Sequence, residues 1–202
     1  NKNTIEAILV LLLFFISFYV WTSPFQKNQL PYGDVDSSTH FTLADYMAQS
    51  DKPLYYIPYY LAEGGYKDDA KGKIWYAPQY HMTAAILQII SNNRIIPILL
   101  FNAIASMTII FTSYFLVRKL YGITAGFITG FLMIFSIRDI LWYLWGQYPQ
   151  VFSFGLTPLI LYFLYSYFES LLKKENRVYL YFYAVLLSVQ FLIHPQSLLI
   201  SL

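Results

Sequence analysis

The stretch IEAILVLLLFFISFYVW, residues 5–21, decides what kind of protein this is. It is an apolar run bounded by Lys2 and Glu6 on one side and by Ser23-Pro24 on the other. Its length suits a helix crossing a hydrocarbon core roughly 30 Å thick. A cleaved signal peptide would want small residues before its cleavage site. Tyr19 and Trp21 stand there instead, as the aromatic anchors of a helix that stays in the membrane. The rest of the chain has the same character. Of 202 residues, 57% are hydrophobic and only 12% charged, with 20 Tyr and 17 Phe, far from the charge content of a water-soluble domain. The expected fold class is all-α, a polytopic integral membrane protein.

Further apolar blocks at 97–117, 123–137, 149–168 and 178 to about 194 bring the expectation to about five transmembrane helices. Three regions follow: a first span over 1–22, a large loop over 23–96, and a bundle of four spans over 97–202. The loop is expected to carry amphipathic surface helices at about 38–49 and 79–91. The chain begins at Asn and stops inside SLLISL, so both ends are expected to be those of a larger protein. Lys2, Arg118, Lys119, Lys173, Lys174 and Arg177 flank the spans on one side, which the positive-inside rule makes cytoplasmic. The expected location is the cell membrane, with a cytoplasmic N-terminus and an extracytoplasmic long loop. Asp34, Asp36, His40, Arg94, the Arg138-Asp139 turn, Trp145 and His194 would then share the outer face.

Composition also excludes. Cysteine is absent, which rules out disulfides, thiolate metal sites and thiol chemistry. A net charge of +2 without a basic run gives no reason to expect a nucleic-acid partner. No phosphate-binding glycine loop, zinc-protease helix motif or dinucleotide fingerprint occurs. Three histidines, His40, His81 and His194, could meet near the outer surface as metal ligands, but no spacing favours it. A transporter reading would rest on His194 alone as the ionisable residue near the membrane interior.

The acids gather just beyond the first span, in GDVDSSTHFTLADYMAQS. This reads as a turn at Gly33 followed by a helix over about 38–49, with Phe41, Ala44, Met47 and Ala48 on one face. Such a helix would lie along the membrane surface with its apolar face down. A carboxylate there, Asp34 or Asp36, can act as a general base on a hydroxyl or help hold a divalent cation. Asp36 or Ser37 also reads as a helix N-cap. His40 follows Asp36 by one helical turn, on the same side. Tyr55, Tyr56, Tyr59, Tyr60, Tyr66, Trp75, Tyr76 and Tyr80 suit sugar stacking and equally suit an interfacial belt. Arg94 and Arg138 read both as outer-face cations and as ordinary interfacial charges. At His194-Pro195 the proline would open the helix locally, which suits a lined cavity or a kink. Gly146 and Pro149 read as a turn and the first turn of the next span, with Tyr148 anchoring and Gln147 and Gln150 free to point into a groove.

Three of these stretches resemble segments of the GT-C class glycosyltransferases, polytopic enzymes that use polyprenyl-phosphate-linked sugars and include the protein mannosyltransferases. They are GDVDSSTHF at 33–41, WYAPQYHMTAAILQII at 75–90 and WGQYPQVFSFGLTPLILYFL at 145–164. The second is similar to a Tyr-Pro-Pro-Gly-Tyr-His type segment, from which Ala77 and Gln79 depart. The third is similar to a Trp-Gly-Gly-Tyr-Pro-Gln segment of membrane proteins attached to that superfamily.

The resemblance implies an enzyme that transfers a sugar from a lipid-linked donor to a lipid, glycan or protein acceptor on the outer face. It implies that Asp34 and Asp36 serve as catalytic base or as part of a metal and acceptor site; the sequence leaves the cofactor unknown, a divalent cation, magnesium or manganese, being the candidate. Arg94, Arg138 and His194 would meet the leaving phosphate, and His40, Gln147 and Tyr148 would contact substrate. The partners expected are the lipid-linked donor, membrane lipids and other membrane subunits. The alternative is a non-catalytic subunit of a membrane complex that keeps the same fold.

Overall fold

The computed structural model describes residues 2–27, 35–50, 60–61, 65–66, 77–173 and 178–197. In chain order the helices are α1 (Lys2–Lys27), α2 (Val35–Gln49), α3 (Pro78–Ser91), α4 (Ile96–Tyr121), α5 (Ile123–Ile134), α6 (Ile137–Leu144), α7 (Tyr148–Leu172) and α8 (Val178–Ile193). A two-residue antiparallel ladder between β1 (Tyr60–Leu61) and β2 (Gly65–Tyr66) interrupts the loop between α2 and α3. Four stretches are long and apolar enough to cross a membrane: Asn3–Gln26, Ile96–Tyr121, Ile123–Leu144 and Tyr148–Leu172. The fifth expected span, α8, is a shorter apolar helix. The chain is an all-α polytopic membrane protein. Ile8, Phe15 and Tyr19 of α1 and Phe182 and Val185 of α8 are exposed, as lipid-facing side chains are.

Two elements differ from expectation. Helix α1 runs through Pro24 to Lys27 rather than stopping at Trp21. Pro24 has no N–H for the Val20 carbonyl, but the Ser23 hydroxyl donates to that same oxygen at 2.7 Å and keeps it satisfied. The third span does not end near 137. Phe135 and Ser136 break it only briefly, and α6 carries it on to Leu144. Arg138 and Asp139 therefore lie in the first turn of α6, not in the turn between spans, which falls at Trp145–Gln147.

Helix α4 is the hub against which α1, α3, α5, α6 and α7 pack, while α7 also carries α8. Lipid offers no hydrophobic drive between helices, so close backbone approach and polar staples hold them. Gly126 and Gly130 of α5, four apart, bring it against Tyr114 and Arg118 of α4. On the other side of α4, Gly155 of α7 faces Thr108 and Ile109, and the Thr112 hydroxyl donates to the Gly155 carbonyl at 2.6 Å. From α8, Gln190 Nε2 donates to the Ser153 carbonyl and to Thr157 Oγ1, both at 3.0 Å.

The two ends of the bundle differ. At one end Glu6 accepts from Tyr114 and Arg118 at 2.8 Å, and Glu169 pairs with Lys119 at 2.7 Å and Lys173 at 2.9 Å. The opposite end holds the start of α4, the start of α7, the end of α8, and the paired helices α2 and α3. Helix α2 does not lie free on a surface. Phe41, Leu43, Ala44 and Met47 are buried, and α2 packs on α3.

A Cβ on Gly155 would stand 3.1 Å from the Ile109 amide nitrogen and 3.2 Å from Thr108 Cβ. Gly155→Val should therefore push α7 off α4 and cost about 1–3 kcal/mol. Thermal unfolding in detergent should show a Tm several degrees lower, while Leu172→Ala, at an exposed position, leaves it unchanged.

Candidate functional site

The site is assembled around a turn that only glycine can make. Gly146 has φ +80°, and a Cβ there would lie 2.3 Å from the Ser37 nitrogen and 2.6 Å from its Cα. The turn between α6 and α7 thus rests directly on the backbone of the first turn of α2. The Ser37 and Tyr148 hydroxyls hydrogen-bond across this contact at 3.0 Å, both buried. One turn further along α2, the His40 ring sits among Tyr80, His81 and Tyr148, with centroids 5.7, 5.1 and 6.3 Å away. His40 Nδ1 and His81 Nε2 are hydrogen-bonded at 2.9 Å. Tyr80 donates to Asn102 Oδ1 of α4. Helices α2, α3, α4 and α7 therefore meet in one polar cluster.

This cluster forms the wall of a cavity of about 570 Å³. Its polar lining is Asp36, His40, His81, Gln147, Gln150, His194 and Gln196, and Ala77, Pro149, Phe191, Ile193 and Pro195 complete it. That volume is typical of a small-molecule site. His194 follows the last residue of α8, where Pro195 interrupts the helix, and its Nδ1 lies 3.0 Å from Ser197 Oγ. No Lys or Arg is among the described residues that line the cavity. Its chemistry is that of amides, imidazoles and one carboxylate, so it can bind and deprotonate hydroxyls. Burial holds His40 well below the usual histidine range, with His81 and His194 nearby adding to the effect. Burial also takes His81 down to about 4, opposed by a hydrogen bond to the Ala77 carbonyl. Both rings are neutral at pH 7.

The expected site residues separate accordingly. Asp36, His40, Gln147 and His194 line the cavity, and Asp36 is exposed at its rim. Tyr148 stands behind the wall with its hydroxyl on Ser37. Arg94 is elsewhere: it forks onto Asp45 through two 2.8 Å bonds, and Asp45 is about half a helical turn out of phase with Asp36 on α2. Arg138 holds Asp139 Oδ1 at 3.0 Å and lies over the Trp142 ring at 5.2 Å, also away from the cavity lining. Asp34 and the loop aromatics from Tyr55 to Trp75 and Tyr76 lie outside the described residues, the ladder backbone apart. The three histidines do share the cavity, yet among the described residues no three His, Asp or Glu side chains converge to hold a metal ion.

His81, placed by sequence only as a remote metal ligand, is the partner that fixes His40. The signal for it was the segment Tyr76-Ala77-Pro78-Gln79-Tyr80-His81, where Pro78 starts α3 and sets Tyr80 and His81 in its first turn. Comparison with known protein families, curated proteins and solved structures gives no match.

Two outcomes follow from this geometry. Gly146→Ala places a methyl group inside the Ser37 backbone and strains a positive φ, so α2 must lift from the turn. Limited proteolysis should then cut near residues 35–50 at least tenfold faster than in the wild type, a rate increase equivalent to about 1.4 kcal/mol of easier local opening. The second concerns pH. A histidine whose folded pKa lies below its unfolded value, about 6.5, binds fewer protons when folded. Stability should therefore be level above pH 7 and fall as pH drops from about 6.5 towards 4. Denaturation midpoints measured from pH 7.5 to 5 should show this slope, and His81→Gln should flatten it.

Proposed function

We propose that this chain forms the membrane part of a glycosyltransferase that moves a sugar from a polyprenyl-phosphate-linked donor to a hydroxyl of a lipid, glycan or protein acceptor, at the outer face of the membrane. The observation that carries this reading is the cavity at one end of the lipid-embedded helices, lined by Asp36, three imidazoles and three glutamines. A lipid-linked donor needs its chain in the bilayer and its headgroup in a polar chamber at the bilayer's edge. A sugar presents many hydroxyls and no charge, and neutral amides and imidazoles are suited to hydrogen-bond it. The basic clusters of Arg118, Lys119 and Lys173 at the opposite end favour placing the cavity on the outer side.

In this reading the acceptor hydroxyl loses its proton to a carboxylate as its oxygen bonds to the anomeric carbon. The bond from that carbon to the phosphate oxygen breaks, and the phosphate leaves with the electron pair. Asp36 is the described carboxylate placed to do this, with Asp34 two residues before it in the sequence.

The test uses the full-length protein in nanodiscs with a panel of polyprenyl-phosphate sugars as donors. Wild type should release polyprenyl phosphate, and Asp36→Asn should lower turnover by about 10²–10⁴-fold with an unchanged Tm. Equal turnover in Asp36→Asn, or no release with any donor, overturns the enzyme reading and favours the non-catalytic subunit.

A further inference from the structure

The Arg94–Asp45 ion pair, which the sugar-transfer reading leaves unused, lines a second hollow at the cavity end of the bundle. The hollow has a volume of about 220 Å³ and is lined by Phe41, Thr42, Asp45, Gln88, Arg94 and Ile95, none of which lines the larger cavity. The turn that carries Arg94 is fixed by its neighbours. Asn92 ends α3 in the left-handed region at φ 49°. Asn93 Oδ1 accepts from the amides of Ile95 and Ile96 at 3.0 and 3.1 Å, and Gln88 Nε2 donates to the Arg94 carbonyl at 2.7 Å. The guanidinium is fixed as well, because Nε and Nη2 both reach the Asp45 carboxylate at 2.8 Å.

That clamp leaves a definite remainder. Of the five N–H groups of a guanidinium, a side-on fork uses two. The end-on fork of Arg94, one N–H from each Nη, has no partner among the described residues, and the side chain is 63% exposed. On Asp45, Oδ1 also accepts from Gln49 Nε2 at 2.6 Å, while Oδ2 accepts from Arg94 alone among the described residues. The Thr42 hydroxyl donates to the Ser38 carbonyl at 2.8 Å, which leaves its oxygen as an acceptor. The lining thus offers paired, positively charged donors and, beside them, a carboxylate oxygen and a hydroxyl oxygen that accept.

The setting is the lipid boundary. Arg94 stands two residues before Ile96, the first residue of the span Ile96–Tyr121. Ile89 and Ile90 before it, and Ile96 and Leu100 after it, are exposed. Exposed aliphatic side chains on both flanks of a charged turn put that turn at headgroup depth, with acyl chains against the isoleucines. The two charges then select the headgroup. A phosphate alone would meet the Arg94 fork but lie beside the Asp45 carboxylate, a like charge. A headgroup that carries an ammonium two carbons from its phosphate meets each partner with the opposite charge.

We infer that the Arg94–Asp45 hollow is a binding site for a membrane phospholipid with a phosphoethanolamine headgroup: the phosphate takes the end-on fork of Arg94, and the ammonium donates to Asp45 Oδ2 and Thr42 Oγ1. The ammonium must carry N–H groups, because a trimethylammonium has none to give. The lipid engages the pair that ties α2 to the start of α4, and so anchors the second half of a helix whose first turn rests on Gly146. None of this depends on the sugar-transfer reading.

The full-length protein is placed in phosphatidylcholine nanodiscs that also hold, at one mole fraction, phosphatidylethanolamine, its N-methyl or N,N-dimethyl derivative, or phosphatidylglycerol. Native mass spectrometry counts the lipids it retains. Wild type should retain phosphatidylethanolamine over phosphatidylcholine by about two- to fivefold, the ratio that an exposed ion pair supplies. The excess should shrink with each methyl group added to the nitrogen. Arg94→Gln should erase it. Asp45→Asn, which removes the acceptor and frees the guanidinium, should turn the preference to phosphatidylglycerol, an inversion that misfolding does not produce. Equal retention across the methylated series in wild type, or phosphatidylglycerol retained above phosphatidylethanolamine, overturns the site. So does a phosphatidylethanolamine excess that survives Asp45→Asn. If either variant fails to fold, the wild-type series decides.

Discussion

The site depends on one steric constraint, the backbone contact between Gly146 and Ser37. The contact fixes how far α2 can descend onto the α6–α7 turn, and so the depth at which Asp36 and His40 meet the cavity. The Ser37–Tyr148 hydrogen bond crosses the same contact, and the His40–His81 pair lies one turn further along α2. The contact tolerates no side chain, so the sequence must supply glycine there whatever the local propensity. It also links residues more than a hundred positions apart, which makes it a tertiary rather than a local requirement.

Within lipid the same chain solves a different problem, which is where to put polar atoms. Most are used as staples between helices. Thr112 serves the Gly155 carbonyl, Gln190 serves Ser153 and Thr157, and Tyr80 serves Asn102. Each joins α4 or α7 to a neighbour, and these two helices carry the cavity end. Near the α6 turn, Asp139 Oδ2 and Trp21 Nε1 are buried without a hydrogen-bond partner among the described residues, while Trp21 stacks edge-on against Tyr143 at 5.3 Å. An acceptor and a donor left over in the same neighbourhood are what a bridging water would satisfy. Asp139 Oδ1 is meanwhile neutralised by Arg138, whose own charge stays at the surface. This pair is better understood as a helix-end anchor than as a substrate contact.

The membrane class and most helices were legible because they follow from local facts: apolar runs of bilayer length, Pro78 and Pro149 in the first turns of α3 and α7, and glycine at a reversal. Helix boundaries failed where a side chain repaired a breaker, as Ser23 does for Pro24. They failed also at the third span, expected to end at 137, which Phe135 and Ser136 interrupt only briefly before it continues to Leu144. The convergence of Asp36, His40, Gln147 and His194 was legible from topology, since alternating spans place alternate loops on one side. What topology does not give is azimuth. Arg94 belongs to the correct end of the bundle but to the wrong side of α2, where Asp45 claims it. His81 was the opposite case, a residue in plain view whose importance lies in its ring orientation, which depends on helices α2 and α3 being in contact.

The two arginines being tied to their own carboxylates bears on how a lipid phosphate would sit. With no described cation on the wall, the sugar would occupy the region of glutamines and imidazoles, and the phosphate would need hydrogen-bond donors near the lipid edge. The start of α7 lies on the lining, where the positive end of a 25-residue helix dipole is directed and Pro149 stands in the first turn. Gln147, Pro149 and Gln150 at this helix start share the cavity lining with Asp36 and His40. On the proposed reading, the neutral rings of His40 and His81 leave this wall uncharged, so it would hold the sugar by hydrogen bonds rather than the phosphate by charge.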